Sequence, residues 1–355
     1  MAIFYKEQVK ALYQNKTECL LSELPDFCRK YRDNRALRLS AKTQYDYAFK
    51  MKIFLEYLHD NNQQFSKKTI KEITLHDLSL LTADNFAEFV AWILRQPAFK
   101  NSSIRQEKNK PSTADNYLAC LSSYMSFFCR NDMLTKNPLL GVDRKKKTKK
   151  PIIYLRDDER SDYLNTVYTG VGLTNRQKSA WNRTKLRETC VVQILIDTGI
   201  RVSELVGLDI NDVDLKHFRL SVQRKGDKAD NVYFSDTTAD LLAEYLAIRK
   251  SMPMENKNEQ ALFLVSTGKY KGARLGVRSV EKMVKKFAKA AGIPEFQKIT
   301  PHKLRSTYAM AMLHATGNEM IVKEQLGHEN IATTALYSTG TEKDKIENRN
   351  ALFPE

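Results

Sequence analysis

Five residues in the second half of the chain carry side chains that could together break a phosphodiester bond. They are two arginines, two histidines and a late tyrosine: Arg201, His302, Arg305, His328 and Tyr337. Attack on a phosphodiester places negative charge on the non-bridging oxygens, and guanidinium groups bind such oxygens in pairs. A phenol has an ordinary pKa of about 10, so a nearby base must accept its proton before it can attack. These residue types therefore fit a reaction in which a tyrosine attacks a phosphate.

Each chemical task has a candidate residue. Arg201 and Arg305 are the candidates for binding the phosphate oxygens, and His302 is the candidate base. The departing 5′ oxygen needs a proton from a positioned acid. Lys225 lies in a predicted hairpin turn and is the candidate acid, while the same turn also offers Lys228.

The sequence around Arg201 predicts a break between two helices. Residues 188–197 have the composition of a buried helix, and Thr198-Gly199 is a typical stop signal. The next helix is predicted to start at Arg201. Glu204 follows one turn later, where its carboxylate can orient the arginine.

Two more elements are predicted around the other candidates. Residues 218–224 and 231–235 alternate as strands on either side of a Lys-Gly-Asp turn, which predicts an antiparallel hairpin. Thr300-Pro301 is a helix start, because proline is favoured at the first helical position. The spacing of three then places His302 and Arg305 on one face of that helix.

Five motifs in this order resemble those of the tyrosine recombinases, also called phage-type integrases. They are Thr-Gly-Ile-Arg-Val-Ser-Glu-Leu (198–205), Arg-Lys-Gly (224–226), Thr-Pro-His-Lys-Leu-Arg (300–305), Gln-Leu-Gly-His (325–328) and Tyr337. The resemblance is close over residues 188–340. It implies a nucleophilic tyrosine, no metal or other cofactor, and a catalytic set of Arg201, Lys225, His302, Arg305, His328 and Tyr337.

Within that family the chain is most similar to the single-protein Xer recombinases of streptococci and lactococci. The closer likeness lies in residues 244–249, 279–284 and 300–305. The Xer pattern has a histidine after the second arginine and another after the tyrosine, whereas this chain has Ser306 and Ser338-Thr339. An integrase of a phage or other mobile element therefore stays open beside a resolvase of chromosome dimers.

The resemblance implies two domains that clamp duplex DNA. Residues 20–143 would form an all-α, SAM-like core-binding domain. Residues 152–340 would form a mixed α/β, mainly helical catalytic domain with a small antiparallel sheet. Residues 1–19 would be an N-terminal extension, predicted to form one helix, and 144–151 a basic interdomain linker.

The charge of the chain predicts a polyanionic partner. The formal net charge is +16 and the pI about 9.4, and lysine and arginine contacts that displace counterions dominate affinity for DNA. Residues 1–150 hold 27 lysines and arginines against 16 aspartates and glutamates, so the N-terminal half should contribute much of the electrostatic attraction. The linker supplies six candidate backbone contacts: Arg144, Lys145, Lys146, Lys147, Lys149 and Lys150.

No apolar run approaches the length of a membrane span, and no signal peptide is evident, so a cytoplasmic protein without a membrane partner is expected. The five cysteines lack a Cys-x-x-Cys pair, which predicts reduced and mostly buried thiols. Asp209 and Asp212 are predicted to cap a helix and begin the strand region.

The N-terminal half has two amphipathic stripes with helical spacing that are predicted to form core. They are Tyr47, Met51, Phe54 and Leu58, and then Tyr117, Leu121, Tyr124 and Phe128. The polar tract 100–113 between them is predicted to be a loop.

The resemblance implies that the tail, residues 341–355, packs into a neighbouring protomer. Ile346, Asn350 and Phe353 follow one another at helical spacing, and with Leu352 adjacent they give the tail a narrow apolar edge. Strand exchange needs two duplexes and four active sites, which implies a homotetramer on DNA with paired half-sites. A DNA translocase or accessory factor is a further candidate partner. Two alternatives to recombination remain: a type IB topoisomerase and a catalytically inactive DNA-binding regulator.

Overall fold

The structure is a computed structural model, and it describes residues 5–97, 108–142, 152–224, 228–252, 254 and 259–327. The chain divides into two compact units, Met1–Thr148 and Lys149–Glu355. The basic residues proposed as a linker, 144–150, lie outside the described residues.

The first unit is built from helices around one apolar core. Its α-helices are α1 (Tyr5–Leu21), α2 (Asp26–Arg35), α3 (Ala41–Asn61), α4 (Leu75–Ser79), α5 (Ala83–Arg95) and α6 (Pro111–Arg130), with 3-10 turns at Ile70–Glu72 and Pro138–Gly141. Helix α1 matches the single N-terminal helix that the sequence predicts, and it packs against α3.

The two amphipathic stripes do form the core of this unit. Met51, Phe54 and Leu58 on α3 are buried, and so is the whole stripe on α6. Aromatic rings from different helices interlock there, with Tyr31 stacked on Tyr124 at 3.7 Å between ring centroids. The loop predicted for 100–113 ends earlier than expected, since α6 begins at Pro111, where proline's fixed φ suits the first helical turn.

The second unit is mixed. Its elements are α7 (Asp157–Thr169), α8 (Asn175–Asn182), α9 (Lys185–Thr198), α10 (Val202–Gly207), β1 (Val213–Asp214), β2 (Arg219–Gln223), β3 (Ala229–Tyr233), α11 (Asp236–Arg249), α12 (Val277–Ala290), α13 (Pro301–Thr316) and α14 (Glu319–Leu326), with 3-10 turns at Ile210–Asp212 and Phe296–Lys298.

Helix α9 lies at the centre of the second unit. Its apolar residues are distributed around the helix and almost all are buried, as expected for a helix enclosed on every side. It packs against α7, α11 and α13. The position of its C-terminus is therefore fixed by the core, and Arg201 follows three residues later.

Strands β1, β2 and β3 form an antiparallel sheet in that order. In the β2–β3 hairpin, Leu220 pairs with Val232 and Gln223 with Ala229. The predicted strand 218–224 is slightly too long, because Phe218 has a left-handed φ of 53° and belongs to the turn before β2. The second strand begins two residues earlier than predicted, since pairing with β2 extends to Ala229.

The predicted fold class, helical first domain and mainly helical second domain with a small antiparallel sheet, is confirmed. All five cysteines lie in described ranges and carry free thiols. Within the described residues, no helix combines the length and apolarity that crossing a bilayer would need.

Candidate active site

Arg201 lies at the break between α9 and α10, as predicted. Helix α9 ends at Thr198 and is capped by Gly199, which adopts the left-handed conformation with φ 61°, and Arg201 is the residue that precedes α10. The carboxylate of Glu204 accepts two hydrogen bonds from Arg201, one from its backbone N–H at 2.7 Å and one from its Nη1 at 2.7 Å. One glutamate therefore fixes both the start of the helix and the direction of the arginine side chain.

The two members of this pair differ in exposure. The side chain of Glu204 is 4% exposed, whereas that of Arg201 is 34% exposed. A buried carboxylate needs charged and hydrogen-bonding partners to offset its desolvation. Arg201 supplies one of them, and about a third of its own side chain stays accessible.

Arg305 occupies the interior beneath the break. Helix α13 begins at Pro301, and Arg305 lies one turn into it with only 2% of the residue exposed. Its Nη1 donates to the carbonyl oxygen of Gly199 at 2.6 Å, and its Nη2 donates to that of Leu326 at 2.5 Å. The guanidinium thus ties the ends of α9 and α14 together.

His302 lies in the first turn of α13 and is exposed. Partial desolvation lowers the pKa of its imidazole, and the positive charges of Lys303, Arg305 and Arg201 lower it further. The charges of the two arginines contribute to this lowering after desolvation and Lys303. A lowered pKa keeps the ring neutral, which is the form that can accept a proton.

The hairpin contributes an arginine that the sequence did not single out. Arg224, directly after β2, is buried and donates to Glu204 Oε2 at 3.2 Å, Asp230 Oδ2 at 2.9 Å and the carbonyl oxygen of Gln325 at 3.0 Å. The only sequence signal was its place in the Arg-Lys-Gly motif. Lys225 lies outside the described residues, and Lys228 is exposed.

The last two candidates, His328 and Tyr337, also lie outside the described residues. The described chain ends with α14 and Gly327, which caps that helix in the left-handed conformation with φ 59°. The tail from residue 341 is outside the described residues as well.

Asp209 and Asp212 form a cap at the start of a 3-10 turn. Asp209 precedes the 3-10 turn, and its backbone N–H donates to Asp212 Oδ2 at 2.8 Å, while Arg274 pairs with Asp209. Across the described ranges, no cluster of His, Cys, Asp and Glu is arranged to hold a metal ion.

The described part of the site contains an accessible arginine, a histidine with a lowered pKa and a buried arginine, all around one helix break. Such a group can bind an anion and accept a proton beside it. The candidate acid Lys225 and the candidate nucleophile Tyr337 lie outside the described residues.

Comparison with known proteins places the chain in a family. The phage integrase family matches residues 172–343. The tyrosine recombinase XerS of Streptococcus uberis is 31% identical over 342 residues, which cover 91% of this chain and 92% of that relative.

Solved structures agree with the fold. The XerH site-specific recombinase bound to palindromic difH substrate superposes with a TM-score of 0.65 at 21% identity, covering 96% of this chain and 89% of that one. The integrase of transposon Tn1549 in complex with circular intermediate DNA gives a TM-score of 0.60 at 18% identity, covering 91% and 98%. Because 31% of the residues are identical to those of this XerS recombinase along almost the whole length of both proteins, the chain belongs to the tyrosine recombinase family.

Proposed function

We propose that this tyrosine recombinase cuts and rejoins duplex DNA at a specific site, with Tyr337 as the nucleophile. The phenol oxygen of Tyr337 attacks the scissile phosphorus, a 3′-phosphotyrosyl bond forms, and the bond to the 5′ oxygen breaks. A free 5′-hydroxyl leaves with a proton. Because the covalent link stores the energy of the broken bond, the 5′-hydroxyl of a partner strand can reverse the step without ATP.

Arg201 and Arg305 bind the non-bridging oxygens in this proposal, and Glu204 orients Arg201. His302 accepts the phenolic proton, with His328 completing the site, and Lys225 protonates the leaving oxygen. The observation that carries the proposal is that one helix break brings Arg201, held by Glu204, near the Gly199 carbonyl that Arg305 binds, with His302 one turn before Arg305 on α13. An anion site and a base are thereby supported at one helix break.

Covalent trapping tests the nucleophile. In a duplex with a nick next to the cleavage position, attack frees a short fragment that carries the new 5′-hydroxyl. This fragment dissociates and cannot reverse the reaction, so the wild-type protein accumulates as a covalent adduct. Tyr337→Phe removes only the attacking oxygen and should abolish the adduct while binding of the site stays nearly intact. Tyr270→Phe is the matched control, because Tyr270 is 63% exposed in the same unit and is not assigned to the site. An adduct formed by Tyr337→Phe would assign the nucleophile to another residue.

The substrate we propose is duplex DNA with a pair of inverted half-sites of the Xer type. Strand exchange between two such sites would proceed through a Holliday junction. The 31% identity to a XerS recombinase along nearly the full chain supports this over a mobile-element integrase. Recombination would join two duplexes in a homotetramer, with residues 20–143 and the linker lysines on the DNA backbone. Sequencing the DNA trapped covalently in cells tests it: a single chromosomal site supports a resolvase, whereas sites at the ends of a mobile element would show an integrase.

Plasmid relaxation separates recombination from the two other activities considered. A type IB topoisomerase would relax supercoiled plasmid that lacks any specific site, and we expect no relaxation there. A DNA-binding regulator would give no phosphotyrosyl adduct on any substrate.

A further inference from the structure

Arg224 is a buried arginine with no role in the reaction as proposed above. Its side chain is 7% exposed, and its three acceptors come from three elements: Glu204 on α10, Asp230 on β3 and the carbonyl of Gln325 on α14. Burying a charge is unfavourable unless its hydrogen bonds are satisfied. Five guanidinium donors in a fixed plane suit such a three-way contact, which a lysine could not make.

Glu204 is shared between Arg224 and Arg201. Its Oε1 accepts from Arg201 Nη1 at 2.7 Å, and its Oε2 accepts from Arg224 Nη1 at 3.2 Å. Arg224 approaches from the interior, since its side chain is 7% exposed against 34% for Arg201. Oε2 is thus held by Arg224 together with the backbone N–H of Arg201, and this orientation of the carboxylate aims the Arg201 side chain.

The charge of the carboxylate is divided in the same way. The Glu204 carboxylate faces the guanidinium groups of both Arg201 and Arg224, while Arg224 also pairs with Asp230 on β3. Without Arg224, both carboxylate oxygens would interact with Arg201, Oε1 with its Nη1 and Oε2 with its backbone N–H. The guanidinium of Arg201 would then interact more strongly with Glu204 and bind a phosphate less tightly.

The C-terminus of α14 leaves space for the side chain of Arg224. A Cβ at Gly327 would lie 3.1 Å from Arg224 Nε, and Gly327 also has a φ of 59°. The backbone therefore approaches the guanidinium closely just after the carbonyl of Gln325 accepts its hydrogen bond. Carbonyls at a helix C-terminus attract positive charge, which favours the contact.

We infer that Arg224 is a positioning residue for strand cleavage: through the shared carboxylate of Glu204, it aims and frees the guanidinium of Arg201 for the scissile phosphate. This inference rests on the proposed role of Arg201. Arg224 itself does not touch the phosphate.

The first experiment is a double-mutant cycle on the full-length protein. Single-turnover adduct formation on the nicked duplex is measured for Arg201→Ala, Arg224→Ala and the double variant. Arg201→Ala should lower the rate by about 100-fold or more, as for loss of one oxyanion donor. Arg224→Ala should lower it by about 10- to 100-fold, as for loss of an outer partner, with DNA binding by gel shift nearly unchanged.

The double variant decides how Arg224 acts. If Arg224 works through Arg201, then adding Arg224→Ala to Arg201→Ala costs little more than Arg201→Ala alone. If the rate of the double variant instead falls by the product of the two single-variant losses, the inference is overturned. Arg219→Ala is the matched control, because Arg219 begins the strand that Arg224 follows and pairs with Asp214 instead, so this variant should cleave at nearly the wild-type rate.

A neutral substrate gives a readout that a general folding defect would not move. A methylphosphonate at the cleavage position lacks the non-bridging charge that Arg201 stabilises. On it, the deficits of Arg201→Ala and Arg224→Ala should shrink together. A deficit of Arg224→Ala that stays constant would mean damage elsewhere and would also overturn the inference.

Two further outcomes are separable. Cleavage by Arg201→Ala at the wild-type rate would reject the role proposed for Arg201, whereas a normal Arg224→Ala beside a defective Arg201→Ala rejects only the role of Arg224. If Arg224→Ala does not fold, Arg224→Gln replaces it in both experiments, since its amide can still donate to the Gln325 carbonyl. Arg224→Lys should restore only part of the lost rate because one ammonium cannot reach all three acceptors.

Discussion

At the scale of single residues, charge surrounds the candidate base. His302 is exposed, yet desolvation and then Lys303, Arg305 and Arg201 lower its pKa. A base that must be neutral works at pH values above its pKa. Lowering the pKa therefore extends proton acceptance to lower pH.

The pH profile of the cleavage rate should have an acid limb, where the rate falls as His302 is protonated. We expect the midpoint of this limb to lie below the ordinary histidine pKa of 6.5. Single-turnover adduct formation between about pH 5 and 8 measures it. Removing one positive charge with Lys303→Met should move the limb up in pH. Lys298→Met, which removes an exposed lysine paired with Glu295, should leave it in place, and an unmoved limb in both variants would contradict the charge effect.

The sequence predicted side chains better than it predicted their acceptors. The placement of Arg201 and the Arg201–Glu204 pair follow from spacing along one helix turn. Arg305 and Arg224 instead bind carbonyls of Gly199, Leu326 and Gln325, and a backbone carbonyl has no signature in a sequence. The bridging role of Arg224 was missed for that reason, since its acceptors come from positions as far apart as 204 and 325.

At the scale of elements, the end of α9 determines where Arg201 stands. A Cβ at Gly199 would lie 2.4 Å from Cδ1 of Tyr308 and 3.1 Å from Cδ2 of Leu326, and its φ is 61°. The glycine is thus required twice, by the left-handed backbone and by the close approach of α13 and α14. The sequence predicted the stop signal but had no means of predicting the close approach.

Gly199→Ala should destabilise the second unit more than Gly317→Ala does. Both glycines cap helices with similar positive φ, but a Cβ at Gly317 would meet nothing within 4 Å. Gly317→Ala then costs only the backbone strain of about 1–2 kcal/mol, and Gly199→Ala adds an overpacking cost of about 1–3 kcal/mol. Urea unfolding followed by Trp181 fluorescence in a Trp92→Phe background compares them, and equal midpoints would show that α13 and α14 adjust freely.

At the scale of the whole molecule, fold class was predictable because it depends on pattern. Helical stripes, a strand pair around a turn and a change in composition are all visible in the sequence, and both units match them. Strand ends were less predictable, since pairing across the hairpin set the start of β3. The roles of Lys225, His328 and Tyr337 stay predictions.

The tail prediction also belongs to this scale. Truncation after Thr341 should leave binding of one protomer to a half-site intact, weaken cooperative filling of the second half-site and suppress recombination. Gel shifts on one and two half-sites measure the first two effects. Ile346→Ala with Phe353→Ala should reproduce the defect, whereas Lys345→Ala should not. Cooperative filling and normal recombination by the truncated protein would show the tail to be dispensable.

The thiols described above differ sharply in accessibility. Burial raises the pKa of Cys28, Cys120 and Cys190, and desolvation raises that of Cys129 to a lesser extent, while Cys19 on α1 is exposed. Alkylating dyes react with accessible thiolates, so Cys129→Ser would leave Cys19 as the preferred point of attachment. Each protomer could then carry one fluorophore. Stepwise photobleaching on a single DNA molecule would count the protomers assembled there directly.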